Sequence, residues 1–115
     1  MWVCLNKAFF SIVHKECKPD ELLVRARRAG DIESVFPGAV VVKSPSTDYL
    51  FRAVLPRARV AEVIAAEITA INYGNFKDSV RNGSLHDAYS SVWGVMARLQ
   101  PTRPYSGRGR QGGLL

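Results

Sequence analysis

The chain has few side chains suited to binding transition metals: its only cysteines and histidines are Cys4, Cys17, His14 and His86. Structural zinc sites use thiolates and imidazoles at short spacings such as Cys-x-x-Cys, and no such pair occurs here. We therefore predict no metal site. No apolar leader precedes Cys4, so we expect reduced thiols and a cytoplasmic location.

Sequence signatures of nucleotide binding and of hydrolytic catalysis are also missing. Glycines stand alone until Gly107 and Gly109, so no phosphate-binding loop opens a helix and no cofactor is predicted. There is no Gly-x-Ser-x-Gly elbow. Ser84, His86 and Asp87 lie close in sequence, but Ser84 and Asp87 fit a capping box at a helix start. Because capping already accounts for Ser84 and Asp87, a small enzyme built around His86 and Asp87 is only the third alternative.

Long apolar runs are absent as well. Every apolar stretch is broken by charge well short of the roughly 18 residues that a membrane-spanning helix needs, so no contact with a membrane is predicted. Apolar residues nevertheless make up 47% of the chain and charged residues 23%, which is typical of a packed globular core. A length of 115 residues predicts one domain.

Acidic residues are the minority charge, with 10 Asp and Glu against 16 Lys and Arg, a formal net charge of +6. Arg103, Arg108 and Arg110 all lie beyond Gln100, and subtracting these three leaves 13 against 10, or +3, for the rest. The last 15 residues also hold two prolines and four glycines, which disfavours regular structure. We predict a domain at residues 1–100 and a flexible basic tail at 101–115.

Alternation of apolar and polar side chains with period two predicts four strands, at residues 2–14, 22–28, 40–43 and 49–55. In the first strand, Phe9 and Phe10 point to opposite faces. In the second, Arg25 and Arg27 share the face away from the buried row. In the fourth, we expect Tyr49 on the core side, opposite Arg52.

Three helices are predicted from capping residues and helical spacing. A short one at 32–36 is opened by Asp31 as its cap, and two long ones follow at 57–71 and 85–99. Each long helix carries an apolar stripe. The stripes comprise Val60, Val63, Ile64, Ile68 and Ile71 in the first helix, and Leu85, Ala88, Tyr89, Val92, Val95, Met96 and Leu99 in the second.

These elements predict an α+β fold with one mainly antiparallel four-stranded sheet. The two long helices are expected to pack on one face of that sheet, because both apolar stripes need covering. A ferredoxin-like arrangement with an additional helix is the variant we keep open.

Several segments together resemble a family of small uncharacterised bacterial proteins. They are MWVCLN at 1–6, RARR at 25–28, GDIE at 30–33, YLFRA at 49–53, NFKDSV at 75–80, LHDAY at 85–89 and the pair Val92-Trp93. The resemblance covers almost everything before the tail. It implies no activity, cofactor or site, so no functional residue is carried over from it.

The densest collection of aromatic and hydrogen-bonding side chains lies in the loop before the last helix and on the flank of that helix. Aromatic and basic side chains commonly anchor protein interfaces, and helical spacing places Trp93 at the border of the buried stripe, partly exposed. We therefore favour a non-catalytic protein-binding or regulatory module. Its candidate interface residues are Tyr73, Asn75, Lys77, Asp78, His86 and Trp93.

An RNA- or DNA-binding protein is the alternative from another class. It would neutralise phosphates with surface arginines and the basic tail, and its candidates are Arg25, Arg27, Arg52, Arg108 and Arg110. The competing interpretation is that these arginines are solvated or paired with nearby acids such as Glu33, Glu62 and Glu67. The sequence leaves the oligomeric state open.

Overall fold

The computed structural model describes residues 1–101. The helices and strands follow in the order β1 (Trp2–Cys4), β2 (Phe9–Val13), β3 (Glu21–Ala26), α1 (Asp31–Val35), β4 (Val42–Lys43), β5 (Phe51–Pro56), α2 (Arg57–Thr69), a 3-10 turn (Lys77–Ser79) and α3 (Gly83–Ala97). The predicted tail at 101–115 lies, apart from Pro101, outside the described residues. None of the helices within residues 1–101 has the length and apolarity required to cross a membrane.

The sheet has five strands rather than the predicted four. All neighbours are antiparallel, in the order β1-β2-β3-β5-β4. The difference arises in the first predicted strand, which reverses direction between Leu5 and Ala8, where the Leu5 N–H donates to the Ala8 carbonyl at 2.9 Å. The tip of this turn, Asn6-Lys7, contains no glycine or proline, so the sequence signal for it is weak.

The topology is not ferredoxin-like. That fold alternates strands and helices as β-α-β-β-α-β, whereas here three strands form a meander before the first helix. The hairpin of β4 and β5 then adds to the meander through pairing of β5 with β3.

The main core lies on the face of the sheet that carries Phe10. Its buried members are Ala8, Phe10, Ile12, Val24, Ala26, Ile32, Val35, Phe36, Ala53 and Val60. The ring centroids of Phe10 and Phe36 are 5.7 Å apart, and Val60 is the buried contact of α2. The helices α1 and α2 therefore cover the Phe10 face.

A second, smaller cluster lies between α3 and Phe9, the residue of β2 that precedes Phe10. Val80, Leu85 and Tyr89 are buried there, with Phe9 and Phe76 packed against them. Successive residues of a strand point to opposite faces, so α3 contacts the face opposite to α2. The prediction that both long helices share one face is wrong, because helical spacing identifies an apolar stripe without identifying the surface that it covers.

Two predicted helix caps are also wrong. The N-cap of α1 is Gly30, at a φ of 88°, a left-handed conformation that glycine adopts without steric cost. At α3 the Asn82 side chain accepts a hydrogen bond from the Leu85 N–H at 2.9 Å, so the helix begins before Ser84. Both α2 and α3 end two residues earlier than predicted, at Thr69 and Ala97.

Candidate protein-interaction site

The first half of α3 is anchored to the turn between β1 and β2. Leu85 and Tyr89 are buried, and the Tyr89 hydroxyl lies 2.9 Å from the Leu5 carbonyl and 3.0 Å from the Ala8 carbonyl. Burial raises the pKa of Tyr89 far above its usual value, and the nearby Cys4 and Asp31 act in the same direction. The hydroxyl therefore stays protonated, and its single O–H is shared between these two carbonyl acceptors.

The second half of α3 and the turn after it present exposed apolar side chains, which we call the α3 apolar surface. Its exposed fractions are 42% for Val92, 55% for Trp93, 55% for Val95, 56% for Met96 and 75% for Leu99. The stripe predicted to be buried is thus covered only in its first half. The partial exposure expected for Trp93 is observed.

Trp93 is held against the preceding loop by Lys77. The Lys77 Nζ lies 4.8 Å from the centroid of the indole ring, a cation–π geometry. Both side chains line a groove of about 460 Å³, together with Asn75, Phe76 and Met96. Three of the six predicted interface residues, Asn75, Lys77 and Trp93, therefore share one site.

Aromatic packing and one hydrogen bond fix the shape of the loop. Ring centroids are 5.9 Å apart for Tyr73 and Phe76 and 5.1 Å apart for Phe76 and Tyr89. The Asn75 Oδ1 accepts the backbone N–H of Asp78 at 3.2 Å. Because Phe76 joins the buried Tyr89, the loop is packed against α3.

The remaining predicted residues lie beside this groove rather than in it. Tyr73, Asn75 and Asp78 line a more polar groove of about 900 Å³, whose basic side chains are Lys7, Arg28 and Arg81. His86 lies about two turns before Trp93 on α3, and its Nδ1 is 3.6 Å from the Asp87 carboxylate.

The three candidate arginines within residues 1–101 contact groups of the same chain. Their contacts are Arg25 Nη2 to Ser11 Oγ at 2.7 Å, Arg27 Nη1 to the Asp48 carbonyl at 2.8 Å, and Arg52 Nη1 to Glu16 Oε1 at 3.4 Å. Within residues 1–101, none of the three acids expected to pair with these arginines does so: Glu62 meets Arg59 at 3.2 Å, Glu67 meets Lys7 at 3.3 Å, and Glu33 forms no ion pair. Arg108 and Arg110 lie outside the described residues.

The position of Tyr49 corrects the predicted alternation. The guanidinium carbons of Arg25 and Arg27 lie 4.6 and 4.2 Å from the centroid of its ring, so Tyr49 packs with the arginines that were expected to face away from it. The reason is local: β5 begins at Phe51, and the period-two pattern does not extend back to Tyr49.

Trp2 and Cys4 were not among the predicted interface residues, and Cys4 was considered only as a metal ligand. Both line an apolar cleft of about 260 Å³ between the β1–β2 hairpin and α3, with Phe9, Leu85 and Val92 among its other walls. Partial burial raises the pKa of the Cys4 thiol. The uncharged run from Met1 to Leu5 was the signal available in the sequence.

Within residues 1–101, no three His, Cys, Asp or Glu side chains are grouped in a way that could hold a metal ion. Cys4 and Cys17 are free thiols. Comparisons with protein-family models, curated proteins and solved structures found no match.

Proposed function

We propose that the protein is a non-catalytic protein-binding module that contacts its partner through the α3 apolar surface. The observation that carries this proposal is the exposure of five apolar side chains together at the end of one helix, each between 42% and 75% exposed. Contiguous apolar patches of a few hundred Å² on a folded domain commonly mark interaction sites.

The anchoring of α3 supports this assignment. Leu85 and Tyr89, in the first half, are its only residues buried within the described chain, so the second half is not needed to hold the helix in place. The cation–π contact of Lys77 restrains the Trp93 ring in advance of binding. A restrained aromatic anchor loses little conformational entropy when a partner covers it.

The charges around the surface indicate the chemistry of the partner. Lys77 lies against Trp93, and the exposed Arg98 follows the last turn of α3. Complementary charges steer association and favour correct partners. We therefore propose a partner with an apolar centre and an acidic rim.

A matched pair of valine substitutions tests the assignment. Val95 on the α3 apolar surface and Val40 near β4 are 55% and 81% exposed, so Val95→Asp and Val40→Asp make the same chemical change at two exposed places. In quantitative affinity capture from the native host, with nuclease-treated controls, we expect Val95→Asp to lose the captured protein and Val40→Asp to retain it. Equal capture by both folded variants would refute the assignment.

Binding to RNA or DNA remains the alternative proposal. The engagement of Arg25, Arg27 and Arg52 with groups of the same chain does not favour it. Salt-dependent retention on heparin or mixed oligonucleotides that disappears when residues 101–115 are removed would support phosphate contacts by the tail.

A further inference from the structure

The outer edge of β1 carries backbone groups directed away from the sheet. Met1 and Ile12 exchange two hydrogen bonds of 2.8 Å, and the Leu5 N–H donates to the Ala8 carbonyl. In an antiparallel pair such hydrogen-bonded positions alternate with positions that point outward. Trp2 and Cys4 therefore direct their N–H and C=O groups away from β2, and no strand of the described chain lies on that side.

The two edges of the sheet differ in their protection. The strands at both edges are short, three residues in β1 and two in β4, but β4 contains Lys43 and is followed closely by Pro45. Lysine and proline are common means of preventing edge-to-edge pairing. By contrast, residues 1–5 contain no charged side chain and no proline, and Met1 and Trp2 are 79% and 69% exposed.

Exposed apolar side chains flank this free edge on both faces of the sheet. A groove of about 410 Å³ runs between β1 and the end of α2, where Ile68 and Ile71 are 64% and 51% exposed. On the other face, Cys4 shares a groove with Val92 and Met96 of α3. The edge thus lies where one more strand would cover apolar side chains of both helices.

We propose that this edge pairs with β1 of a second copy of the chain, in antiparallel orientation about a twofold axis. The two five-stranded sheets would then join into one of ten strands. A twofold contact is self-complementary, so each exposed helix row meets its counterpart from the other copy on the same face.

Charge and area both favour a second copy as the occupant. Residues 1–5 carry no charged side chain, and the one charge there, the ammonium group of Met1, donates to the Ile12 carbonyl of the same chain, so two copies of the segment place no like-charged side chains opposite each other. The large apolar side chains around the edge are Met1, Trp2, Ile68, Ile71, Val92 and Met96, each between 42% and 79% exposed. Their combined exposed surface is of the order of the ~800 Å² per partner that a stable interface buries.

This self-association goes beyond the proposed function and does not rest on it: the dimer would cover Val92 and Met96 of the α3 apolar surface and leave the rest of that surface for the partner. Two proline variants test it in the full-length chain by sedimentation equilibrium. Cys4→Pro removes an outward N–H from β1. Lys43→Pro is the matched control on β4: the Ser44 N–H bonds to the Leu50 carbonyl, so the adjacent Lys43 N–H points outward.

For the wild-type protein and Lys43→Pro we expect a molar mass of twice the 12.7 kDa of one chain. We expect the dimer dissociation constant of Cys4→Pro to rise at least tenfold. If Cys4→Pro does not fold, Trp2→Lys replaces it. This substitution puts two like charges near the twofold axis, and we expect the same rise in the dimer dissociation constant. The substitution Val95→Asp should leave the dimer intact. Loss of partner binding in this variant can therefore be told apart from loss of self-association.

A wild-type protein that is monomeric at several hundred micromolar overturns the proposal. So does a dimer whose dissociation constant is unchanged in both Cys4→Pro and Trp2→Lys. Two other findings would overturn the second copy as the occupant. A monomer that binds an extended apolar peptide at β1 would indicate a peptide partner, and a monomer that dimerises only after residues 102–115 are removed would indicate that this segment occupies the edge.

Discussion

The carboxylate of Asp31 accepts two hydrogen bonds from the Arg28 guanidinium, at 2.8 Å from Nη2 and 3.2 Å from Nε. Its side chain is only 7% exposed, and it also accepts the backbone N–H of Phe9 at 3.3 Å. A carboxylate expected to cap α1 instead completes the hydrogen bonding at the start of β2. It therefore links the helix to the sheet.

Replacing Asp31 by alanine should destabilise the domain, because the Phe9 N–H loses its acceptor and the Arg28 guanidinium keeps only the Lys7 carbonyl, at 3.3 Å. We expect a loss of ~1–3 kcal/mol in the free energy of unfolding, measured by urea denaturation. Glu33→Ala removes an exposed carboxylate from the same helix and is the control, with an expected change within ~0.5 kcal/mol. Equal losses for the two variants would contradict this role of Asp31.

The raised pKa of Tyr89 predicts loss of stability in alkali. Above about pH 10 the tyrosine ionises in the unfolded chain while the folded state retains the proton. The unfolded state then binds fewer protons, so the free energy of unfolding falls as pH rises above that value. The phenylalanine variant Tyr89→Phe should cost ~1 kcal/mol at pH 8 and should remove this part of the alkaline decline.

The check is urea denaturation at intervals between pH 8 and pH 11.5. Tyr73→Phe is the control, because it leaves Tyr89 and its two carbonyl partners unchanged. An alkaline decline equally steep in wild type and in Tyr89→Phe would show that Tyr89 is not its source.

The two ends of the α2 stripe should respond differently to the introduction of a carboxylate. Val60 is 3% exposed whereas Ile68 is 64% exposed. Val60→Asp places an unpaired carboxylate in the core and should prevent stable folding. Ile68→Asp should leave the melting temperature of the monomer nearly unchanged, in contrast to the severe effect that the stripe alone predicts. Calorimetry at low protein concentration compares the two variants.

Truncating Trp93 should cost little stability, because the ring is 55% exposed. Loss of its contact with Lys77 accounts for ~0.5–1 kcal/mol. Leu85→Ala on the same helix removes a side chain that is 5% exposed and should cost ~2–5 kcal/mol. A loss of ~3 kcal/mol or more for Trp93→Ala would assign Trp93 to the core and leave the proposed interface without its anchor.

Local patterns in the sequence determined which side chains share a face. The opposite orientations of Phe9 and Phe10, the common face of Arg25 and Arg27, and the border position of Trp93 all follow from strand and helix periodicity. These features need only the backbone geometry of neighbouring residues. They were therefore predictable, and the structure agrees with them.

Only the tertiary structure decided which of those faces are covered. The turn at Leu5–Ala8 makes β1 an edge strand, and the hydrogen bond from Tyr89 to Ala8 spans 81 positions in sequence. Periodicity predicted a buried stripe along all of α3, but that contact holds only its first half against the sheet. Burial depends on which distant residues arrive at a surface, and local spacing carries no information about them.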